Sequence, residues 1–138
     1  MTSYLVDTNV VSETIRAAPS PMVDAFLRHE TDLWLSVVAL HELTYGVTHV
    51  ADPARHLKLT AWIATLTNRF RGRIINVDEA IAEMAGRLRA YASSRGRTLE
   101  PLDSLMAATA MVNSYTLLTR NIRDFEYLNM PLRNPWTI

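Results

Sequence analysis

Tyr4-Leu5-Val6-Asp7-Thr8-Asn9 opens the chain with a short apolar run that ends in a carboxylate. Such a run reads as a buried strand, and an acid directly behind it stands where the strand leaves the core. Working outward, the rhythm repeats. Thr8 to Arg16 fits a helical turn or two, stopped by Pro19-Ser20-Pro21. Met22 to His29 reads as a helix with Val23, Phe26 and Leu27 on one face. Leu33-Trp34-Leu35 is a second strand, and Ser36 caps a helix from Val37 to about Val47. Pro53 opens a helix that carries Leu59, Trp62, Ile63, Leu66 and Phe70 at helical spacing. Ile74-Ile75-Asn76-Val77 is a third strand, and Asp78 caps a helix to about Arg95, stopped by Gly96. Pro101 starts a helix to about Ser114, and Thr116-Leu117-Leu118-Thr119 is a fourth strand.

Strands alternating with helices predict an α/β fold: three layers, with a mainly parallel central sheet of four to five short strands flanked by helices. Ligands of such sheets bind beyond the carboxyl ends of the strands. Asp7 and Asn121 each follow a predicted strand end. The 138 residues carry no repeat or linker and are expected to form one domain, 1–138.

Composition narrows the chemistry. Without cysteine there is no disulfide and no thiolate metal site. The N-terminus has no basic lead-in and no apolar run of signal-peptide length, so a soluble, cytoplasmic protein is expected. A net charge of zero argues against coating nucleic acid by bulk charge. The cations, however, are thirteen Arg and one Lys, Lys58, and they cluster at Arg69/Arg71/Arg73, Arg87/Arg89, Arg95/Arg97 and Arg120/Arg123. Arg is the better fork for phosphate oxygens, although a GC-rich genome raises Arg as well.

The acids carry the functional signal. Asp7 is equally a helix cap or a ligand when read alone. Glu42 shares a helical face with Val38, Ala39, Tyr45 and Gly46, which turns it toward packing. Asp103 is the only charge on a helix that is apolar nearly all round, with the small Ala107 and Ala110 continuing its face. It also falls in the first turn after Pro101, where a carboxylate is favoured electrostatically. Asp124 follows Asn121 by one turn and is otherwise a surface partner for Arg120 or Arg123. His41 and His49 have no spacing for zinc. Carboxylates gathered at strand ends and on buried helices repel one another, and a hard cation relieves that repulsion. An all-oxygen donor set points to Mg²⁺ or Mn²⁺.

The ordered set of segments resembles the PIN domain, specifically VapC-type toxins and their FitB-like subgroup. The matching pieces are Leu5-Val6-Asp7-Thr8-Asn9, Ser36-Val37 through Glu42-Leu43 with Tyr45-Gly46-Val47, Pro101 to Ala110, Thr119-Arg120-Asn121 to Asp124-Phe125, and the terminal Asn134-Pro135-Trp136. The resemblance implies a PIN fold and Mg²⁺-dependent RNA cleavage leaving 5′-phosphate and 3′-hydroxyl ends. Asp7, Glu42 and Asp103 match the family's three principal acids. The fourth is divided here between Asn121 and Asp124. Thr8, Asn9, Ser12 and Arg120 match polar positions that support the acids or meet substrate. A homodimer silenced by a small antitoxin is also implied, and the stripe from Leu59 to Phe70 either serves such a surface or packs on the sheet.

Two other readings remain open from the sequence. A haloacid-dehalogenase-like phosphatase also places Asp after its first strand, but it wants a second Asp where Asn9 stands and a Lys that Lys58 does not supply. A non-catalytic PIN-like module that binds RNA or antitoxin is favoured by Asn121 and opposed by Asp7, Glu42 and Asp103 together.

Overall fold

The computed structural model describes residues 1–137; Ile138, the last residue of the expected domain, lies outside them. Five short strands form one sheet: β1 (Tyr4–Val6), β2 (Leu33–Ser36), β3 (Ile74–Ile75), β4 (Thr116–Leu118) and β5 (Leu132–Arg133). Their order is β3-β2-β1-β4-β5, and every pairing is parallel. The chain builds outward from β1 on one side, then crosses back to add β4 and β5 on the other. The reversal beside β1 is the switch point at which α/β sheets open a crevice.

The connecting helices are α1 (Thr8–Glu13), α2 (Pro21–His29), α3 (Val37–Thr48), α4 (Pro53–Arg69), α5 (Glu79–Ser94) and α6 (Pro101–Asn113). Local chemistry starts them where the sequence indicates. Ser20, Ser36, Asp52 and Asp78 each cap a helix through a side-chain oxygen. Gly96, at φ +71°, takes the left-handed conformation just beyond α5. Ser114 does the same after α6 without being glycine, at φ 58°.

Parallel strands covered by helices are apolar along their whole length. Leu5, Val6, Leu35, Leu117 and Leu118 are fully buried and form the centre of the core. The Leu59-to-Phe70 stripe packs inward: Leu59, Leu66 and Phe70 are buried, with Trp62 and Ile63 against the core. Among the described residues no helix is long and apolar enough to cross a membrane.

Four expectations need adjusting. The fourth strand ends at Leu118, leaving Thr119 outside it, free to bond Asp7 through its side chain. The third strand is Ile74–Ile75 alone, without Asn76 and Val77. Its partner explains this: Ser36 pairs with Ile75 and then caps α3, so β2 offers no backbone further on. The first helix stops at Glu13 rather than Arg16. The fifth strand comes from Leu132–Arg133, which carries too little pattern to be singled out.

Leu5 has no exposed surface and lies in the central strand. Leu5→Ala is expected to cost about 3 kcal/mol. The measurement is a lowered urea midpoint at unchanged m value.

Candidate active site

Val6 lies in register with Leu118, so the residues that follow, Asp7 and Thr119, leave the sheet side by side at its carboxyl edge. The Thr119 hydroxyl donates to Asp7 Oδ2 at 2.8 Å. Asn9 Nδ2 donates to the same oxygen at 3.3 Å, and the Thr8 backbone N–H donates to Oδ1 at 2.7 Å. Asp7 is only 7% exposed. Its carboxyl titrates above the ordinary value because burial outweighs these hydrogen bonds, with Glu42 adding repulsion.

Glu42 arrives from the middle of α3 and is half-buried. Its Oε1 accepts from the Thr8 hydroxyl at 2.7 Å, so the residue after Asp7 ties the helix acid to the strand end. Asp103 stands in the first turn of α6, where Pro101 is the first helical residue. A helix N-terminus holds a carboxylate ionised. Here the opposite influences win. Burial, then the charges of Asp7, Glu42, Asp124 and Glu100, push the Asp103 carboxyl up to about 6.

The three principal acids therefore come from separate elements into one electrostatic neighbourhood. They do not form a ready-made cage: among the described residues, no three Asp, Glu or His side chains stand close enough to hold an ion as they are. Mutual repulsion of like charges works against closer approach. The donor set nevertheless fits Mg²⁺ or Mn²⁺. Mg²⁺ takes one or two carboxylates and keeps several waters. Asp7 Oδ1 accepts only the Thr8 N–H, which leaves a lone pair, and Thr8 engages only Oε1 of Glu42.

Of the divided fourth position, it is Asp124 whose charge reaches Asp103, and both line one cleft of about 310 Å³. Asn121 is exposed and is tied in through its backbone, whose N–H donates to Thr119 Oγ1 at 3.0 Å. Its neighbours are Arg120, Arg123 and Asp124 in an adjoining cleft. Asn9 is a structural link: its amide donates to Asp7, and its Oδ1 accepts from the Arg120 backbone N–H at 3.3 Å. The Arg120 guanidinium lies over the Trp136 ring, 4.7 Å from its centroid. Ser12 is turned elsewhere, its hydroxyl donating to the Asn9 carbonyl within α1. Tyr45, expected on a packing face, is 64% exposed and stacks on His49.

Thr119 was not singled out from sequence as a support for Asp7. The sequence pattern runs the fourth strand through Thr119; the strand ends at Leu118, and only the register with β1 shows that Thr119 follows its strand as Asp7 follows its own. Glu100, Arg97 and Tyr127, which line the Asp103 cleft, were missed as well. They come from loops whose approach the strand pattern does not encode.

Residues 4–129 match the PIN domain family. The chain belongs to the PIN-domain family. It is 34% identical to Toxin FitB from Neisseria gonorrhoeae, across 96% of this chain and 97% of that protein. It is 27% identical to the tRNA(fMet)-specific endonuclease VapC of Shigella flexneri, across 99% of this chain and 100% of the relative. The crystal structure of FitAcB from Neisseria gonorrhoeae aligns with a TM-score of 0.92 at 32% identity, covering 98% of this chain and 99% of that one. The five-stranded parallel sheet flanked by helices is the PIN fold, and the phosphatase alternative falls with this match.

In this PIN domain the raised Asp103 carboxyl has a consequence for stability. The fold holds a proton at pH values where the unfolded chain has lost it, between the ordinary 3.8 and about 6. Stability from this group is therefore present below 3.8 and is lost as pH rises through about 6. Glu13 and Asp32, whose carboxyls are lowered, act in the opposite sense, weakening the fold as pH falls below their ordinary values. In metal-free protein at pH 7.5, Asp103→Asn is expected to raise Tm by about 4 °C, the size of about 1 kcal/mol after allowing for solvent screening. The gain shrinks toward pH 4. A thermal melt series across pH 4–8 checks both the sign and the window.

Proposed function

We propose that this protein is a divalent-metal-dependent endoribonuclease, acting with Mg²⁺ or Mn²⁺, and the toxin of a toxin–antitoxin pair. One observation carries the reading: Asp7, Glu42 and Asp103 are brought from a strand end and two helices to one place, Thr8 bonding Glu42 directly behind Asp7, and burial together with the charges of Asp7 and Glu42 raises the Asp103 carboxyl. Structural acids are ordinarily given partners that lower their pKa, so acids left to repel one another in a cleft mark a functional site. The names of the relatives, an endonuclease and a toxin, support the same reading.

Asp7 and Asp103 would hold the cation, with Glu42 beside them. A bound divalent ion supplies charge neutralisation at the scissile phosphate and a lowered pKa for water. The chain's own groups do the rest. Thr119, Asn9 and the Thr8 N–H fix the Asp7 carboxylate. The Thr8 hydroxyl fixes Glu42 through Oε1, leaving Oε2 to accept a hydrogen bond from the attacking water and aim it in line with the leaving oxygen. Asp124 shares a cleft with Asp103, and its charge adds to the raising of that carboxyl. Arg123 and Arg120, in the adjoining cleft, would hold RNA phosphates by charge-assisted hydrogen bonds. The products would carry 5′-phosphate and 3′-hydroxyl ends. The protein would work as a cytoplasmic homodimer, silenced by a small antitoxin that enters the same groove.

The test is cleavage of single-stranded RNA by purified protein in Mg²⁺ or Mn²⁺, and its loss in EDTA. Asp103→Asn is expected to cut the rate by about 100-fold or more, and to relieve growth arrest, with circular dichroism and melting showing an intact fold. Undiminished cleavage by metal-loaded Asp103→Asn would remove Asp103 from the machinery and the reading with it.

A further inference from the structure

The cleft beside Asp103 has a wall that the chemistry above does not use. Arg97 lies in the turn between α5 and α6, directly behind Gly96. Its backbone N–H donates to the Ala92 carbonyl at 2.9 Å, closing the end of α5 and fixing where the side chain departs. The guanidinium then lies over the Tyr127 ring, 4.4 Å from the centroid. Tyr127 is half-buried in a short 3₁₀ turn, Glu126–Leu128, so its ring is held from below. Burial raises its phenol, with Asp103 and Asp124 adding to that and Arg97 opposing, so all three charges bear on this ring.

Arg97 is exposed, and its charge is not committed. Among the described residues the ion pairs are Arg16–Glu13, Arg28–Asp24 and Arg87–Glu83. Arg97 joins none, although Glu100, Asp103 and Asp124 line the same cleft. A guanidinium seated over a ring offers two things at once: a planar group that can stack and N–H donors along its edge. Unpaired nucleotides have the matching parts, a base that stacks on Arg or aromatic planes and a phosphate that takes N–H donors. A duplex keeps its bases stacked inside and cannot use the plane. Arg97 lines the Asp103 cleft and Arg120 the adjoining one, with Arg123 and Asp124 shared by both. A strand lying along the two clefts would meet a cation in each.

We propose that Arg97, seated over Tyr127, is the platform for an unpaired nucleotide next to the scissile phosphate, and so selects single-stranded RNA and sets its register over Asp103. This rests on the ribonuclease reading and adds a specificity residue to it. Arg97 stacks one base on its plane and meets one phosphate with its edge.

The experiment pairs steady-state cleavage of a labelled single-stranded RNA in Mg²⁺ with binding of the same RNA in EDTA, followed by anisotropy over a salt series. Arg97→Ala is expected to raise KM and Kd about tenfold, the scale of one lost stacked base, with kcat within about twofold. The slope of log K against log salt should fall by about 0.7, one phosphate's worth on a single strand. Arg97→Lys should restore the slope and leave KM raised, because an ammonium has charge but no plane. Tyr127→Leu, with Tm recorded to confirm folding, should raise KM with Arg97 still present. An unchanged KM and Kd for Arg97→Ala, in a parent that cleaves RNA, overturns this inference alone. Full rescue by Arg97→Lys also overturns it, reducing the site to a point charge. A parent that neither binds nor cuts RNA overturns the ribonuclease reading and this inference together.

Discussion

The buried carboxylate of Asp7, hydrogen-bonded across the sheet to Thr119, is the constraint around which the site is arranged. Asp7 has to leave the sheet at the end of the central strand, because three apolar residues before it are buried on both faces. Thr119 has to leave beside it, because β1 and β4 are paired in register up to Val6 and Leu118. From that one bond the neighbours follow. Thr119 also takes the Asn121 N–H, which sets the turn leading to Asp124. Thr8 and Asn9, the first residues of α1, reach Glu42 on one side and the Arg120 backbone on the other. The strand order reverses at this place, so no crossover segment runs over it and the crevice stays open.

Two acids in this protein show how differently a partly or fully buried carboxylate can be treated. Glu13 is 5% exposed, yet its carboxyl is lowered. The Ser20 N–H donates to it at 2.7 Å and Arg16 at 3.2 Å, so the ionised form is partnered. Asp103 is less buried, yet its carboxyl is raised, by desolvation first and then by the charges of Asp7, Glu42, Asp124 and Glu100. Desolvation raises both groups; the Ser20 N–H and Arg16 outweigh it at Glu13, while further acids add to it at Asp103. The repulsion is tolerated because Asp7 is hydrogen-bonded on both oxygens, and because a proton or a cation can take up the excess charge at Asp103.

The parts legible in the sequence are those governed by short-range rules. Tyr4-Leu5-Val6, Leu33-Trp34-Leu35 and Thr116-Leu117-Leu118 declare themselves by apolar runs, and Ser36, Asp78, Pro101 and Gly96 by capping chemistry. Asp7, Glu42 and Asp103 stand out because each is an acid in an apolar setting. What was not legible depends on register and on loop geometry. Thr119 supports Asp7 only because two strands 112 residues apart pair without slippage. Asp124 rather than Asn121 bears on Asp103 because the segment after β4 coils into a 3₁₀ turn, Ile122–Asp124. The length of β3 was set by where its partner ends. Tyr45 lies on the same helix as Glu42 yet faces outward, because α3 is covered along one side only.

The zero net charge of the chain conceals an ordered separation of sign. The acids lie at the carboxyl edge of the sheet, where buried strands end and α6 begins. The nearest uncommitted cations lie in the loops around them: Arg97 before α6, Arg120 and Arg123 after β4. A polyanion would be repelled by the floor of such a cleft and attracted by its walls. Walls of Arg rather than Lys add a geometric condition. Two of these guanidiniums already lie on aromatic rings, Arg97 on Tyr127 and Arg120 on Trp136. The rings restrict where these guanidiniums sit, and a planar group discriminates by the shape and stacking of what it meets, where charge alone accepts any phosphate.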